Sequence, residues 1–121
     1  MNREDILKME AGREMDLLVA EKVMGMSPPE GKTHGSCCYC QTCGYAHDEC
    51  VCGYSESIEM AWEVVKEMSA KNFWCVMEVL SSRSVVMFEE AKTMEKYEAY
   101  ANPYDLPLAI CRAALLATLK G

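Results

Sequence analysis

The sequence lacks an apolar run long enough to cross a membrane, a cluster of basic residues and a recognisable catalytic motif. A membrane-spanning helix needs roughly 20 apolar residues in succession, and no stretch approaches that length. Binding to nucleic acid normally requires a basic stripe, whereas this chain carries a formal net charge of -7. No nucleophile–base pair, phosphate-binding glycine loop or carboxylate dyad emerges. These absences argue against a membrane protein, a nucleic-acid partner and an enzyme.

The charged opening of the chain also lacks the apolar segment of a signal peptide. We therefore expect a reducing cytosol, where clustered cysteines are more often metal ligands than disulfides. The chain has 121 residues, and half of them are apolar. This size fits one domain over residues 1–121 with one modest core.

Cysteine is the residue whose distribution is most informative, because six of the eight cysteines lie within residues 37–52. Two of them are separated by two residues and two by one, which gives two close thiolate pairs joined by a short loop. Four thiolates satisfy the tetrahedral coordination of a closed, structural zinc site. The sequence therefore predicts a structural zinc ion in an inserted loop over residues 34–54, bound by Cys40, Cys43, Cys50 and Cys52.

The second cysteine pair is tighter than the spacing usual in zinc sites, so the ligand set stays open. Four other residues of the loop are alternative ligands: His34, Cys37, Cys38 and His47. A connection this long without periodicity is uncommon in a small domain unless something organises it. Bound metal would supply that organisation.

Hydrophobic periodicity and capping residues predict helices at both ends and in the middle of the chain. The first helical segment begins at Asn2, with Asp5 in a capping-box position, is broken or bent at Gly12 and ends near Gly25. The later elements are a helix from Ser55 or Ser57 to about Ala70, strands over 72–80 and 84–90, a stretch over 93–101 that suits a strand better than a helix, and a helix over 105–119.

This order of elements predicts an α+β fold, specifically an α/β/α sandwich with a small antiparallel sheet of two to four strands between helices. The second helix is expected to face the sheet with a stripe of five residues: Ile58, Ala61, Trp62, Val65 and Met68. The last helix is apolar on two sides, so we expect it to be buried between neighbours. Trp62 and Trp74 are expected in the core, with a pocket floor or an interface as the alternative.

Arg112 is the candidate ligand-binding residue, because it lies on an otherwise apolar helix where a guanidinium must be paired or reach water. An ion pair with one of the many carboxylates is one interpretation. Contact with an anionic ligand is the other, since the planar guanidinium suits carboxylate or phosphate. Cys75 and Cys111 lie on apolar faces and are expected to be buried, inert thiols.

Three blocks of the chain, residues 1–25, 54–65 and 106–117, resemble the phage ABA sandwich domain of small proteins from Bacillus-type phages and prophages. The closing block, Leu-Pro-Leu-Ala-Ile-Cys-Arg-Ala-Ala-Leu-Leu-Ala, is quite specific. The resemblance implies an α/β/α sandwich, a phage origin and action in the cytoplasm of a bacterial host, but no particular activity. The cysteine-rich segment occupies a stretch that varies in the family, so the zinc prediction depends on spacing alone.

The leading functional hypothesis is a non-enzymatic phage accessory protein that carries structural zinc and binds a host or phage protein. The alternative is a sponge that sequesters a small anionic ligand, such as a nucleotide defence signal, between protomers, with Arg112 as the first residue to test. A zinc-ribbon regulator is a further alternative, and homo-oligomerisation is left open.

Overall fold

The structure, a computed structural model, describes residues 2–25 and 53–119. The predicted zinc ligands Cys40, Cys43, Cys50 and Cys52, and their four alternatives, lie outside the described residues. Of the loop predicted over 34–54, the described residues include Gly53 and Tyr54.

The described residues form helices and strands in the order expected from the sequence. In chain order they are α1 (Arg3–Lys8), α2 (Arg13–Lys22), α3 (Ile58–Ala70), β1 (Phe73–Val79), β2 (Ser84–Glu90), β3 (Lys96–Ala101) and α4 (Leu106–Thr118). The strands form an open antiparallel sheet in the order β1-β2-β3. The stretch predicted as a strand over 93–101 is confirmed as β3.

The N-terminal helical segment is divided into two helices, as the position of Gly12 predicts. Asn2 accepts a hydrogen bond from the Asp5 amide at 2.9 Å, and the Asp5 carboxylate accepts one from the Asn2 amide. This capping box starts α1, which ends at Lys8. Gly12 is the N-cap of α2 and has a φ of 148°, a conformation that favours glycine.

The long helix α4 lies at the centre of the molecule. It contacts β2 and β3 on one side and α1, α2 and α3 on others, and nearly all its side chains are buried. Alanines at 109, 113, 114 and 117 let these neighbours approach closely from several directions. The prediction of a helix buried on two sides is confirmed.

The face of the sheet that packs against α3 and α4 is called the inner face. Its central side chains, Val86, Phe88 and Ala99, are fully buried. The rings of Phe73 and Tyr97 meet edge to face at a centroid distance of 6.3 Å at the end of this face. The core therefore lies between one side of the sheet and the helices.

The helix α3 begins after Ser57, whose side chain accepts a hydrogen bond from the Met60 amide. Two members of its predicted sheet-facing stripe are misplaced, because Ile58 and Trp62 are each 50% exposed. The helix packs against both β1 and α4, so the arc between those neighbours is the buried one. That arc consists of Ala61, Val64 and Met68.

The predicted α+β class is confirmed, and the arrangement is consistent with an ABA sandwich. The expectation that Trp74 lies in the core is wrong, because its side chain projects from the sheet face opposite α3 and α4 and is 61% exposed. Among the helices of the described residues, none combines the length and apolarity needed to span a membrane.

Candidate functional site

The candidate site is the side of the sheet that faces away from α3 and α4, which we call the outer face. Alternation along each strand places nine side chains there: Trp74, Val76 and Glu78 of β1, Val85, Met87 and Glu89 of β2, and Lys96, Glu98 and Tyr100 of β3. Cross-strand pairing sets Val76 beside Met87, next to the pair of Trp74 and Glu89. Apolar and charged side chains are therefore interleaved on one pleated surface.

The apolar part of the outer face is exposed at β1. Trp74 is 61% exposed and Val76 49%, and Leu80, just beyond the strand, is 43% exposed. Single exposed apolar residues are ordinary on protein surfaces, but a contiguous group marks a candidate interaction site. The group here includes a tryptophan, one of the residue types that dominate the energetics of protein–protein interfaces.

The charged part of the outer face lies at β3 and at the neighbouring end of β2. The Lys96 ammonium is 3.8 Å from the Glu89 carboxylate, and the Tyr100 hydroxyl donates to Glu98. The Arg83 guanidinium stacks over the Tyr100 ring at 4.4 Å from its centroid. The outer face therefore has an exposed apolar part at the β1 edge and a charged part at β3, and apolar patches with polar surroundings are common where proteins bind one another.

Arg112, the predicted ligand-binding residue, belongs to α4. It lies on the inner side of the sheet, near the end of β3. Its Nε and Nη2 atoms donate to the Met9 carbonyl at 3.1 and 2.8 Å, and Nη1 donates to the Tyr100 carbonyl at 2.8 Å. Partial burial lowers the pKa of the guanidinium, while Glu10 and Asp105 oppose that shift. Arg112 thus connects α4 to the α1–α2 connection and to β3 through backbone carbonyls.

A shallow depression of about 430 Å³ lies beside Arg112. It is lined by Leu7, Ser82, Tyr100, Ala101, Asn102 and Arg112. Ser82 and Asn102 could donate hydrogen bonds to an anion there. The donors that Arg112 would need for a bidentate contact are largely engaged by Met9 and Tyr100, so the depression is a weaker candidate site than the outer face.

A buried polar cluster that the sequence analysis did not single out joins α2 to the start of α3. The Asp16 Oδ1 atom accepts from the Ser55 hydroxyl at 2.6 Å and from the Ser55 amide at 2.8 Å, and the Gly12 amide donates to the Ser55 hydroxyl at 2.9 Å. No described residue donates to Asp16 Oδ2, which is buried. Burial raises the pKa of Asp16, although both hydrogen bonds from Ser55 oppose the rise.

The signal that could have found this cluster is weak. Asp16 lies on the buried arc of α2 with Ala20 and Val23, but it is also in the first turn, where a carboxylate is usually placed for the helix dipole alone. Ser55 lies two residues before the cap of α3 and looks like an alternative cap. Only the packing of α2 against the segment that leads into α3 brings the two together, and sequence periodicity does not encode that packing.

Both cysteines within the described residues are free thiols; Cys111 is buried as predicted, whereas Cys75 is only half-buried. Burial raises the pKa of Cys75 to about 11. Cys111 is fully buried, and burial together with the nearby Asp16 charge raises its pKa well above the ordinary thiol value. A thiol that stays protonated is a poor nucleophile and a poor metal ligand. Within residues 2–25 and 53–119, no group of three or more His, Cys, Asp or Glu side chains is arranged to hold a metal ion.

Comparison with known proteins shows that this chain is similar to a family of phage proteins. The sequence profile of the phage ABA sandwich domain matches residues 17–115, from α2 to α4 with the whole sheet between them. The crystal structure of a phage protein from Bacillus cereus ATCC 14579 has a TM-score of 0.60 and 21% identity, covering 95% of this chain and 96% of that one. At such identity the likeness shows the fold alone. A search of the curated proteins finds no match.

Proposed function

Because the chain belongs to the phage ABA sandwich domain family, we propose that it is a non-enzymatic phage accessory protein that binds a host or phage protein. The binding surface is the outer face, and the protein acts in the cytoplasm of the bacterial host. The observation that carries this proposal is the exposed apolar group around Trp74 and Val76, bordered by the charged side chains of β3.

A non-enzymatic role accords with the state of the reactive groups in the described residues. Cys75 and Cys111 have raised pKa values and so remain thiols. Asp16 is engaged with Ser55 inside the molecule, where its hydrogen bonds hold α2 against the start of α3.

Site-specific photocrosslinking in infected host cells tests the proposal. A photoreactive phenylalanine analogue at position 74 should crosslink one partner protein, because Trp74 is a large exposed aromatic on the outer face. The same analogue at position 104 is the matched control, since Tyr104 is 95% exposed but lies outside the sheet. Adding Met87→Glu in the middle of the outer face should abolish the crosslink by burying an unpaired charge at the interface.

Equal crosslinking from positions 74 and 104 would contradict the proposal, as would a crosslink that Met87→Glu leaves intact. Crosslinking of position 74 only to a second copy of this chain would also count against a separate partner.

We further propose that structural zinc bound by Cys40, Cys43, Cys50 and Cys52 shapes the inserted loop, as their spacing suggests. Native mass spectrometry of freshly purified protein should find one zinc ion per chain. The Cys43→Ser and Cys52→Ser variants should lose zinc, and strong chelator should lower the melting temperature of the wild-type protein. A metal-free protein with the same melting temperature would refute this site.

The alternative is sequestration of a small anionic ligand beside Arg112. The polar side chains of Ser82 and Asn102 around the depression favour it, whereas the carbonyl partners of Arg112 speak for a structural role. The same mass spectra would reveal a co-purifying anion. The Ser82→Ala variant, which leaves Arg112 and its carbonyl partners in place, should then weaken its retention.

A further inference from the structure

Among the described residues, β1 lies at one edge of the sheet and presents backbone groups to which none of them bonds. The Ala91 amide bonds to the Asn72 carbonyl and the Leu80 amide to the Arg83 carbonyl, so even-numbered residues of this strand bond to β2. The odd-numbered residues therefore direct their N–H and C=O groups away from the sheet. These residues are Phe73, Cys75, Met77 and Val79, and no described residue outside β1 and β2 makes a backbone hydrogen bond to them.

The two edges of the sheet differ in how they are protected. At the β3 edge, the Tyr100 carbonyl accepts from Arg112, and Lys96 and Glu98 place charges on the strand. The β1 edge has Glu78 as its one charged residue, pairs with β2 in unbroken register over its full length, and contains no proline. A long, regular, apolar edge of this kind is a template for another strand.

We propose that β1 pairs antiparallel with β1 of a second copy, about a two-fold axis at Val76, so that two sheets join into one of six strands. Full overlap of the strands gives hydrogen-bonded pairs of Phe73 with the partner's Val79 and of Cys75 with the partner's Met77. These are the residues whose backbone groups point outward. In the same register, Val76 lies directly opposite the partner's Val76, and the side-chain alternation of both sheets is preserved.

The charges of β1 select a second copy in this register. Glu78 lies opposite the partner's Trp74, whose indole N–H is a donor without acceptor capacity. The two Glu78 carboxylates are separated by four positions, or roughly 13 Å along the strands, so like charges do not meet. Shifting the register by two residues in either direction leaves about five residues of each strand paired instead of the 7 of β1, and the shift toward Val79 places Glu78 against the partner's Val76, where the carboxylate has no donor.

A second exposed apolar surface accompanies β1. The helix α3 packs against this strand, and its Ile58 and Trp62, one turn apart, are each half exposed. Their flank is turned by about 90° from the arc of Ala61, Val64 and Met68 that faces the core. Joining the sheets at β1 brings two α3 helices toward each other, so this flank would extend the interface beyond the strands.

The oligomeric state of the full chain in reducing buffer tests the proposal. Sedimentation at a protein concentration of about 100 µM should find a dimer, because a micromolar dissociation constant suffices for dimerisation at that concentration. Val76→Lys places two ammonium groups against each other on the axis and should weaken dimerisation about 100-fold or more. Val85→Lys is the matched control, because it adds the same charge to the same face on the middle strand and should leave the dimer intact.

A disulfide crosslink between two copies tests the proposed register independently. In the proposed register the two Val76 Cα atoms are about 4.5 Å apart, within the range that a disulfide bridges. Under mild oxidation, Val76→Cys should yield a disulfide between two copies at position 76, identified by peptide mass spectrometry. Val85→Cys should yield none at position 85.

A monomeric wild-type protein at that concentration would overturn the dimer, and so would a dimer that Val76→Lys leaves unchanged. Absence of the disulfide at position 76 in an assembled dimer would overturn the register. The dimer goes beyond the proposed function and stands without it, since these measurements need no partner protein. Failure of the photocrosslinking experiment leaves the sedimentation result as it is.

Discussion

The inner and outer faces of the sheet are formed by the same strands but differ in how far their side chains are buried. Along β2, Val86 and Phe88 point to the inner face and are fully buried, whereas Val85 and Met87 point to the outer face and remain partly exposed. Both sides carry apolar side chains, but the outer face interleaves them with four charged ones: Glu78, Glu89, Lys96 and Glu98. The difference shows that one face of a small sheet can bury its apolar side chains while the other leaves them partly exposed.

The polar contacts of the two sides differ as well. On the helix side, Arg112 and Asp16 make short hydrogen bonds to groups far away in sequence, which fixes α1, α2 and α4 relative to the sheet and to α3. On the outer face, the exposed Lys96 ammonium lies 3.8 Å from the carboxylate of Glu89, whose side chain is largely buried. The contact joins residues of neighbouring strands within the sheet, whereas the contacts on the helix side join different layers of the molecule.

The largest expected effect separates the two sides at neighbouring positions of one strand. Phe88→Ala removes a fully buried ring from the centre of the inner face and should lower the free energy of unfolding by about 3–5 kcal/mol. Met87→Ala, on the outer face, should cost less than half as much. Urea unfolding followed by circular dichroism measures both. Equal losses would mean that the outer face is packed as tightly as the inner one.

A smaller loss is expected when the helix side loses its guanidinium. Arg112→Met keeps the length of the apolar stem but leaves the Met9 and Tyr100 carbonyls without their donor, which should cost about 2–3 kcal/mol. Arg112→Lys should recover part of the loss, because one ammonium cannot reproduce the forked contact. If both variants unfold like the wild type, Arg112 is not a structural connector, and a ligand-binding role gains ground.

Local patterns predicted the elements of this fold well. The caps at Asn2 and Ser57, the break at Gly12 and the alternation in β1 all depend on residues close in sequence, and the structure confirms them. The misplaced residues, Trp62 and Trp74, are large apolar side chains whose burial depends on which neighbour covers them. Periodicity marks a side chain's face but not the element that packs there, so it could not show that these faces are open.

The candidate site was harder to predict for the same reason. Arg112 was correctly selected as unusual, yet its partners are the carbonyls of Met9 and Tyr100, and backbone carbonyls leave no signature in a sequence. The outer face joins residues from three strands, and its recognition needed the register of the sheet. The zinc ligands, in contrast, are predicted entirely from spacing and remain a prediction.

The buried carboxyl group of Asp16, on the helix side, should make the free energy of unfolding depend on pH. Burial raises the pKa of folded Asp16 above the ordinary aspartate value of 3.8, so the folded state binds its proton more tightly than the unfolded state. Stability should therefore fall as pH rises from about 3.8 through the folded pKa, and the cost should be constant above it. Asp16→Asn removes this titration, so its stability relative to wild type should improve as pH rises through that window. Urea unfolding across pH 3.5–7.5, with the exposed Glu59→Gln as control, measures the difference; parallel profiles for Asp16→Asn and wild type would contradict it.

The smallest expected change in the free energy of unfolding follows substitution of Trp74, the exposed tryptophan of the outer face. Trp74→Thr replaces an indole that is 61% exposed with a residue of high strand propensity, and the unfolding free energy should change by less than about 1 kcal/mol. Far-UV circular dichroism is the suitable probe, because the substitution removes a fluorophore, and the midpoint should be taken where it no longer depends on protein concentration. The same variant should lose the photocrosslinked partner when the analogue is moved to position 76. A loss above about 2 kcal/mol would show that Trp74 is packed against the rest of the chain, and the outer face would then belong to folding rather than to recognition.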